Sequence, residues 1–428
     1  MKNQFMRLCG FVTAILLTVS LVPPTVQAYE DSEGPRYLTI DEVLTLTQYH
    51  IDGYMATDCQ TMGRDIIASD QFIDLYDMND ELYAYIVPLM EDDANIGYIT
   101  MPAKNSGSIF YEICIGDGNV DIMRDCTAYM VSEANEVNNS RIYFLPPYSY
   151  VLAIDMDGDT NYYDLSQYNI GELKLRDISD KFSLSMAQSV YAEQEETVNE
   201  KIENILQPNM YAAMVAGVED IRLSFQEEGD FIPINLNGKT YYGGNQWWYE
   251  DDYWQPRGCG PVAAANITYY LDRQSSMQIS GLYDYSRLNY TNFLNHMNTL
   301  YEYCSPSPIG TPNMYKWTDD VVSYAADRGI NLYPVYSYAE PTYENTCTYI
   351  KNGLTIDSPV AVLNLAYPNE EDGWHWMTIT KYFRTAGDVR YVAVSTVGER
   401  KSILYDRLYD AMDNLSFVYG HDRLMYFM

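Results

Sequence analysis

The order of helix-like and strand-like runs along this chain changes beyond residue 235, and the change divides it into two units. Thr39 stands three residues before Glu42 as a capping box, with apolar Val43, Leu44 and Leu46 after it, which predicts a helix within residues 37–68. Runs rich in β-branched and aromatic residues come next: Leu82 to Val87, Ile96 to Met101, Ser108 to Ile115, Arg141 to Leu145 and Tyr148 to Ile154. These predict strands, so residues 29–175 read as a small α+β unit. Residues 176–230 are polar and helix-prone, with Glu193 to Ile205 an acidic amphipathic stretch, and read as a connector. Residues 231–428 begin with helices and end with strands. An Ala-rich helix opens at Cys259, Trp317 to Arg328 forms another that Gly329 ends, and strands follow at Pro359 to Tyr367, His375 to Phe383 and Val389 to Ser395. The expected fold class is α+β throughout.

The first residues change the picture. Lys2 and Arg7 precede an apolar core from Phe11 to Val22, and Val26-Gln27-Ala28 offers a small-residue cleavage site, the pattern of a secretory signal over residues 1–28. Pro23 and Pro24 break the apolar stretch, which is short for a membrane span. A mature protein that is secreted, extracellular or at the cell surface is expected, with no stable membrane span. The net charge of −34 is uneven: 39 acids and 12 bases before residue 231, 21 and 14 after it. Such a surface disfavours nucleic acid and anionic membranes as partners. Many of the 43 Tyr residues lie in the strand-like segments, where aromatic rings pack and keep a polar tip in reach of partners.

Six cysteines remain after signal removal. Cys114 with Cys126 and Cys304 with Cys347 are candidate disulfide pairs, leaving Cys59 with Cys259, but six cysteines in about 400 residues are too sparse for a disulfide scaffold. Asp155-Met156-Asp157-Gly158-Asp159 has the look of a calcium loop. Its Gly falls at the fourth position instead of the sixth, and Ser166 stands where a bidentate Glu belongs, so an Asp-Gly hairpin between flanking strands is the simpler reading.

The candidate chemistry is in the second unit. Gly258-Cys259-Gly260-Pro261 leads straight into the Ala-rich helix, the glycines permitting a sharp turn and Pro261 suiting the first helical positions. A thiol at a helix N-terminus meets unpaired backbone N–H groups and the positive end of the dipole, which favour the thiolate. Its proton needs a base, and the chain holds four histidines. His375 opens a strand beside an acidic turn, Asn369 to Gly373, where a sheet can present it at a cleft rim; His50 lies in the other unit, His296 in a polar helix-like segment and His421 near the C-terminus.

Residues of about 235–420 resemble papain-like cysteine peptidases, particularly the secreted bacterial branch related to bacteriocin-leader-processing peptidases. Four runs carry the resemblance in order: Gly243-Gly244-Asn245-Gln246-Trp247-Trp248, the Gly258 to Asn266 run, Gly373-Trp374-His375-Trp376-Met377-Thr378-Ile379, and Val392 to Gly398. It implies Cys259 as nucleophile, His375 as base and then acid, and Gln246 as the amide that joins the Cys259 N–H in binding an oxyanion. The family usually orients the imidazole with an Asn or Asp at the end of the next strand. Here that place reads Ser395-Thr396-Val397-Gly398, so Ser395, with Thr396 next in line, is the expected orienter. Residues 74–89 and 97–100 resemble, more faintly, the prodomain of streptopain-type secreted peptidases, which implies intramolecular inhibition by the N-terminal unit. The expectation is a cysteine-type peptidase acting on a protein or peptide, with no metal or organic cofactor. Transfer of the acyl group to an amine stays open. The alternative is a secreted binding protein that keeps the fold without the chemistry.

Overall fold

The first helix begins where the capping box places it. α1 spans Ile40–Met55: the Thr39 side chain accepts from the Glu42 N–H, and the Glu42 carboxylate accepts from the Thr39 N–H. Arg36 holds the same carboxylate through two hydrogen bonds, at 2.8 and 2.9 Å. The computed structural model describes residues 35–56, 58, 61–77, 79–116, 120, 124, 127–128, 131, 139–145, 149–156, 159–165, 175–176, 195–207, 217–225, 231–251, 253–307, 310–311, 313–337, 341–364, 375–413 and 423–428. The signal sequence expected over 1–28 lies outside the described residues, as do Cys59, Cys126, His421 and the Asn369 to Gly373 turn.

Strands dominate the N-terminal unit. They are β1 (Ile67–Ala68), β2 (Ile73–Tyr76), β3 (Leu82–Glu91), β4 (Ala94–Pro102), β5 (Glu112–Ile115), β6 (Asn139–Leu145), β7 (Ser149–Met156), β8 (Asp159–Asp164) and β9 (Leu175–Arg176). Met156 pairs with Asp159 and Ile154 with Asn161, so the Asp-rich segment closes a hairpin, its central residues 157–158 lying outside those described. Residues 176–230 contribute helix α2 (Glu195–Ile205) and strand β10 (Gly217–Arg222).

The C-terminal unit opens on a two-stranded hairpin and not on a helix as expected from its sequence, and its helices follow. After the hairpin of β11 (Pro233–Leu236) and β12 (Lys239–Tyr242) come α3 (Cys259–Arg273), α4 (Tyr290–Cys304), α5 (Met314–Ala326) and α6 (Tyr343–Thr355). Strands β13 (Val360–Asn364), β14 (His375–Thr385), β15 (Arg390–Thr396) and β16 (Glu399–Leu404), helix α7 (Tyr405–Asp413) and β17 (Leu424–Met425) complete the chain. The α+β class is what the structure shows. α3 is buried on every side from Cys259 to Leu271, which its run of alanines permits: small side chains let neighbouring helices and strands approach closely.

One sheet joins both units. Its path runs β17-β13-β14-β15-β16-β5-β4-β3-β2-β6-β7-β8-β9, with β1 added on β3 and β10 on β14. The junction is the antiparallel pairing of β16 with β5, where Lys401 faces Cys114 and Ser402 faces Ile113. The cores are shared as well. Phe383 and Tyr391 from the C-terminal strands pack with α1 and β3–β5 residues, Tyr391 stacking on Phe383 at 4.6 Å and on Phe110 at 5.4 Å. β16 is buried although its sequence reads Glu-Arg-Lys-Ser, because each charge finds a partner: Glu399 with Lys239, Arg400 with Asp58 and Lys401 with Glu112. Cys304 and Cys347 are both free thiols, so that candidate pair is not formed, while Cys126, the candidate partner of Cys114, lies outside the described residues. Burial pushes the Cys114 thiol up to about 12 and those of Cys304 and Cys347 upward too, so these three are inert packing residues. Among the described residues no helix is long and apolar enough to cross a membrane.

Candidate active site

Cys259 is the first residue of α3, with Gly258 as the residue before the helix. Neither glycine beside it needs a positive φ, Gly258 having φ −84°. Close packing explains Gly258 instead. A Cβ there would stand 2.3 Å from a carbon of the Tyr249 ring, and one at Gly260 would press on Thr311 at 3.2 Å. The thiol is nearly buried, at 6% exposure, and faces a cavity. Two tryptophans hold the surroundings. Trp317 donates its ring N–H to the Gly260 carbonyl at 2.9 Å, Trp376 donates to the Thr311 carbonyl at 2.8 Å, and the two rings stack at 4.6 Å. The residue after Cys259 and the residue after His375 are thereby fixed to one aromatic pair.

His375 starts β14, and its imidazole lines the same cavity. Nε2 lies 2.7 Å from the Thr396 hydroxyl. Ser395, the first-choice orienter, does not serve the ring. Successive strand residues point to opposite faces, and Ser395 directs its hydroxyl to the Tyr242 carbonyl at 2.5 Å. Burial pushes the His375 pKa down to about 4, and the Lys401 ammonium acts in the same direction. The imidazole is therefore neutral at pH 7 and able to take a proton. His296 and His50 are buried in the core. His296 meets Thr268 at 2.9 Å and His50 meets Tyr391 at 3.3 Å, so both are packing residues.

Gln246 heads a short 3-10 turn, Gln246–Trp248, which Asn245 caps by accepting from the Trp247 N–H at 3.0 Å. It is 7% exposed and lines the cavity with Cys259, and among the described residues its side-chain amide has no hydrogen-bond partner in the protein. The loop that brings it there needs two glycines. Gly243 has φ +93°, and Gly244 lies so close to α3 and α4 that a Cβ would stand 2.9 Å from Phe293 and 3.1 Å from Val262.

Cys259, His375, Gln246 and Thr396 thus surround one small cavity of about 10 Å³, about the volume of a single water. Among the described residues its lining lies between Gly244 and Val397. Three further polar residues line it, Thr378, Asn266 and Ser395, the last with its hydroxyl turned to the Tyr242 carbonyl. Asn266 stands seven residues after Cys259, two helical turns on, and a lone amide among alanines at that spacing is a signal the sequence offered. Among the described residues no group of three His, Cys, Asp or Glu side chains could hold a metal ion. No protein-family model matches the chain, and no curated protein or solved structure does either.

Proposed function

We propose that this protein is a secreted papain-like cysteine peptidase that hydrolyses peptide bonds through a thioester at Cys259. The observation that carries the reading is the convergence on one cavity of a thiol at a helix N-terminus, an imidazole, a side-chain amide with no partner among the described residues and a hydroxyl on the far side of the imidazole. In the first step His375 takes the Cys259 proton as sulfur attacks the carbonyl carbon. The oxyanion that forms is stabilised by the Cys259 N–H, at the start of α3, and by the Gln246 amide. Collapse expels the amine, which leaves with the proton from His375. Water then attacks the thioester, giving its proton to His375, and the acid departs as the thiol is restored. Thr396 accepts the ring N–H throughout and keeps the other nitrogen aimed at sulfur. A hydroxyl stabilises the imidazolium less than a carboxylate would, which sets a modest rate.

The full chain and Cys259→Ala, His375→Ala and Gln246→Ala variants should be compared on fluorescein-labelled casein and in alkylation of Cys259 by iodoacetamide. Cys259→Ala abolishes hydrolysis, His375→Ala does nearly the same, and Gln246→Ala lowers kcat by about 10²–10³ while alkylation persists. Substantial hydrolysis by the Cys259→Ala protein, or alkylation of Cys259 no faster than of the buried cysteines, removes this mechanism and leaves the non-catalytic binding protein.

A further inference from the structure

Asn266 joins the three segments that build the cavity. Its Oδ1 accepts from the Gly244 N–H at 2.9 Å, and its Nδ2 reaches the Ser395 hydroxyl at 3.4 Å and the Thr378 hydroxyl at 3.5 Å. Ser395 in turn donates to the Tyr242 carbonyl. The chain from Tyr242 to Gly244 is therefore gripped twice, once through a carbonyl and once through an N–H, by two residues that touch each other. The grip leaves no slack: a Cβ on Gly243 would stand 2.6 Å from the Ser395 oxygen and 3.0 Å from the Asn266 oxygen. Asn266 and Ser395 are 2% exposed and Thr378 is fully buried. A buried amide costs stability relative to an apolar residue unless its hydrogen bonds are made, so an alanine-rich helix gains little in packing from keeping one here. What the amide does control is the distance from α3, which carries Cys259, to the loop that carries Gln246 two residues beyond Gly244.

We infer that Asn266 is a positioning residue that holds the Gln246 amide at oxyanion distance from the Cys259 N–H, locking the loop to the nucleophile's own helix. The inference rests on the peptidase reading above. An oxyanion donor acts only when held within a few tenths of an ångström of the developing charge, so loosening its loop lowers turnover without touching thiol or imidazole. Ser395 and Thr378, on β15 and β14, extend the same lock to the strands that bear Thr396 and His375.

A double-mutant cycle on the full chain tests it, with Asn266→Ala, Gln246→Ala and the pair measured for kcat and KM on labelled casein and for Cys259 alkylation by iodoacetamide, which needs no oxyanion site. Asn266→Ala should lower kcat by about tenfold or more with KM little changed and alkylation within about twofold of wild type. In the Gln246→Ala background the same change should cost no more than about threefold, because the donor it positions is gone. Losses that multiply, or alkylation that falls in step with kcat, overturn the inference while an active wild type leaves the peptidase reading standing. A wild-type chain without hydrolysis or selective alkylation removes both. Should Asn266→Ala not fold, Asn266→Asp keeps the oxygen that Gly244 uses and should retain kcat within about threefold; a folded Asp variant as slow as Gln246→Ala overturns the inference equally.

Discussion

His375 leans on Thr396 and not on Ser395, although the two hydroxyls are neighbours on one strand. The consequence is a division of labour that substitution can separate. Thr396→Val removes the acceptor and keeps the shape, and should lower kcat by about tenfold with little change in stability. Ser395→Ala leaves the Tyr242 carbonyl buried without its donor and should cost about 1–3 kcal/mol in stability. Ser395→Asn, which would place a longer side chain against Gly243, should be worse than Ala and not better. Kinetics and urea unfolding of the three variants decide the matter; a Thr396→Val protein with unchanged kcat would take the orienting role from Thr396.

Two buried histidines, His50 and His296, and the half-buried His375 set how the fold responds to acid. Burial pushes His50 and His296 down to about 3 and His375 to about 4, whereas the unfolded chain titrates near 6.5. Above pH 6.5 both states hold these rings neutral and the stability is complete. Between 6.5 and about 4 the unfolded chain binds protons that the folded one does not, so stability falls as pH falls. The urea midpoint at pH 5 should lie clearly below that at pH 7.5, with an unchanged slope, and His50→Phe should shrink the gap. Equal midpoints at the two pH values would show that the rings are not buried neutral.

How much of this was legible follows from what each segment exposes to reading. The capping box, the Cys259 helix and the His375 strand were visible because each has its own local signal: a reciprocal cap, a Gly-Cys-Gly-Pro start and an aromatic run after a polar turn. β16 was not visible, since Glu-Arg-Lys-Ser reads as solvated surface and becomes interior only through partners up to some 340 residues away, Asp58 and Glu112. Pairing of that kind has no local signature. The choice between Ser395 and Thr396 was hidden for a related reason. It depends on which residue of β15 shares a sheet face with the His375 ring, and thus on a register that only the folded sheet sets.

The turn after Thr396 stores strain that can be relieved. Val397 has φ +45° and Gly398 φ +76°, joining β15 to β16 through a two-residue turn whose first position is a β-branched residue in the left-handed region. Asn tolerates that region far better. Val397→Asn should therefore stabilise the fold by about 1 kcal/mol, read as a raised urea midpoint at constant slope. A midpoint that stays or drops would mean that the Val397 side chain, at the cavity wall, returns more by packing than its backbone costs.

The contact of Asp58 with Arg400 decides whether the N-terminal unit can act as a detachable inhibitor. The two side chains meet at 2.6 Å with almost no exposure, and Lys381, itself fully buried, lies 3.6 Å from the same carboxylate. Burial works against the Asp58 charge, but Arg400 and Lys381 outweigh it and hold the carboxyl below its usual range. Breaking such a group by Asp58→Asn takes the carboxylate from buried Arg400 and leaves Lys381 with Asp220 at 3.5 Å, and should cost roughly 3–5 kcal/mol. Losing all of residues 29–175 would do more: it would also strip Glu112 from Lys401 and leave β16 as an open edge beside emptied aromatic contacts. These contacts argue for an N-terminal unit that stays part of the fold, and among the described residues none of it lines the cavity. A protease site engineered between residues 207 and 217 should, once cut, yield two fragments that co-elute on size exclusion and keep Cys259 alkylation at the intact rate. Residues 231–428 produced alone should aggregate or unfold. Fragments that separate after cutting, with Cys259 reacting faster once the N-terminal piece has gone, would make that piece an inhibitory prodomain after all.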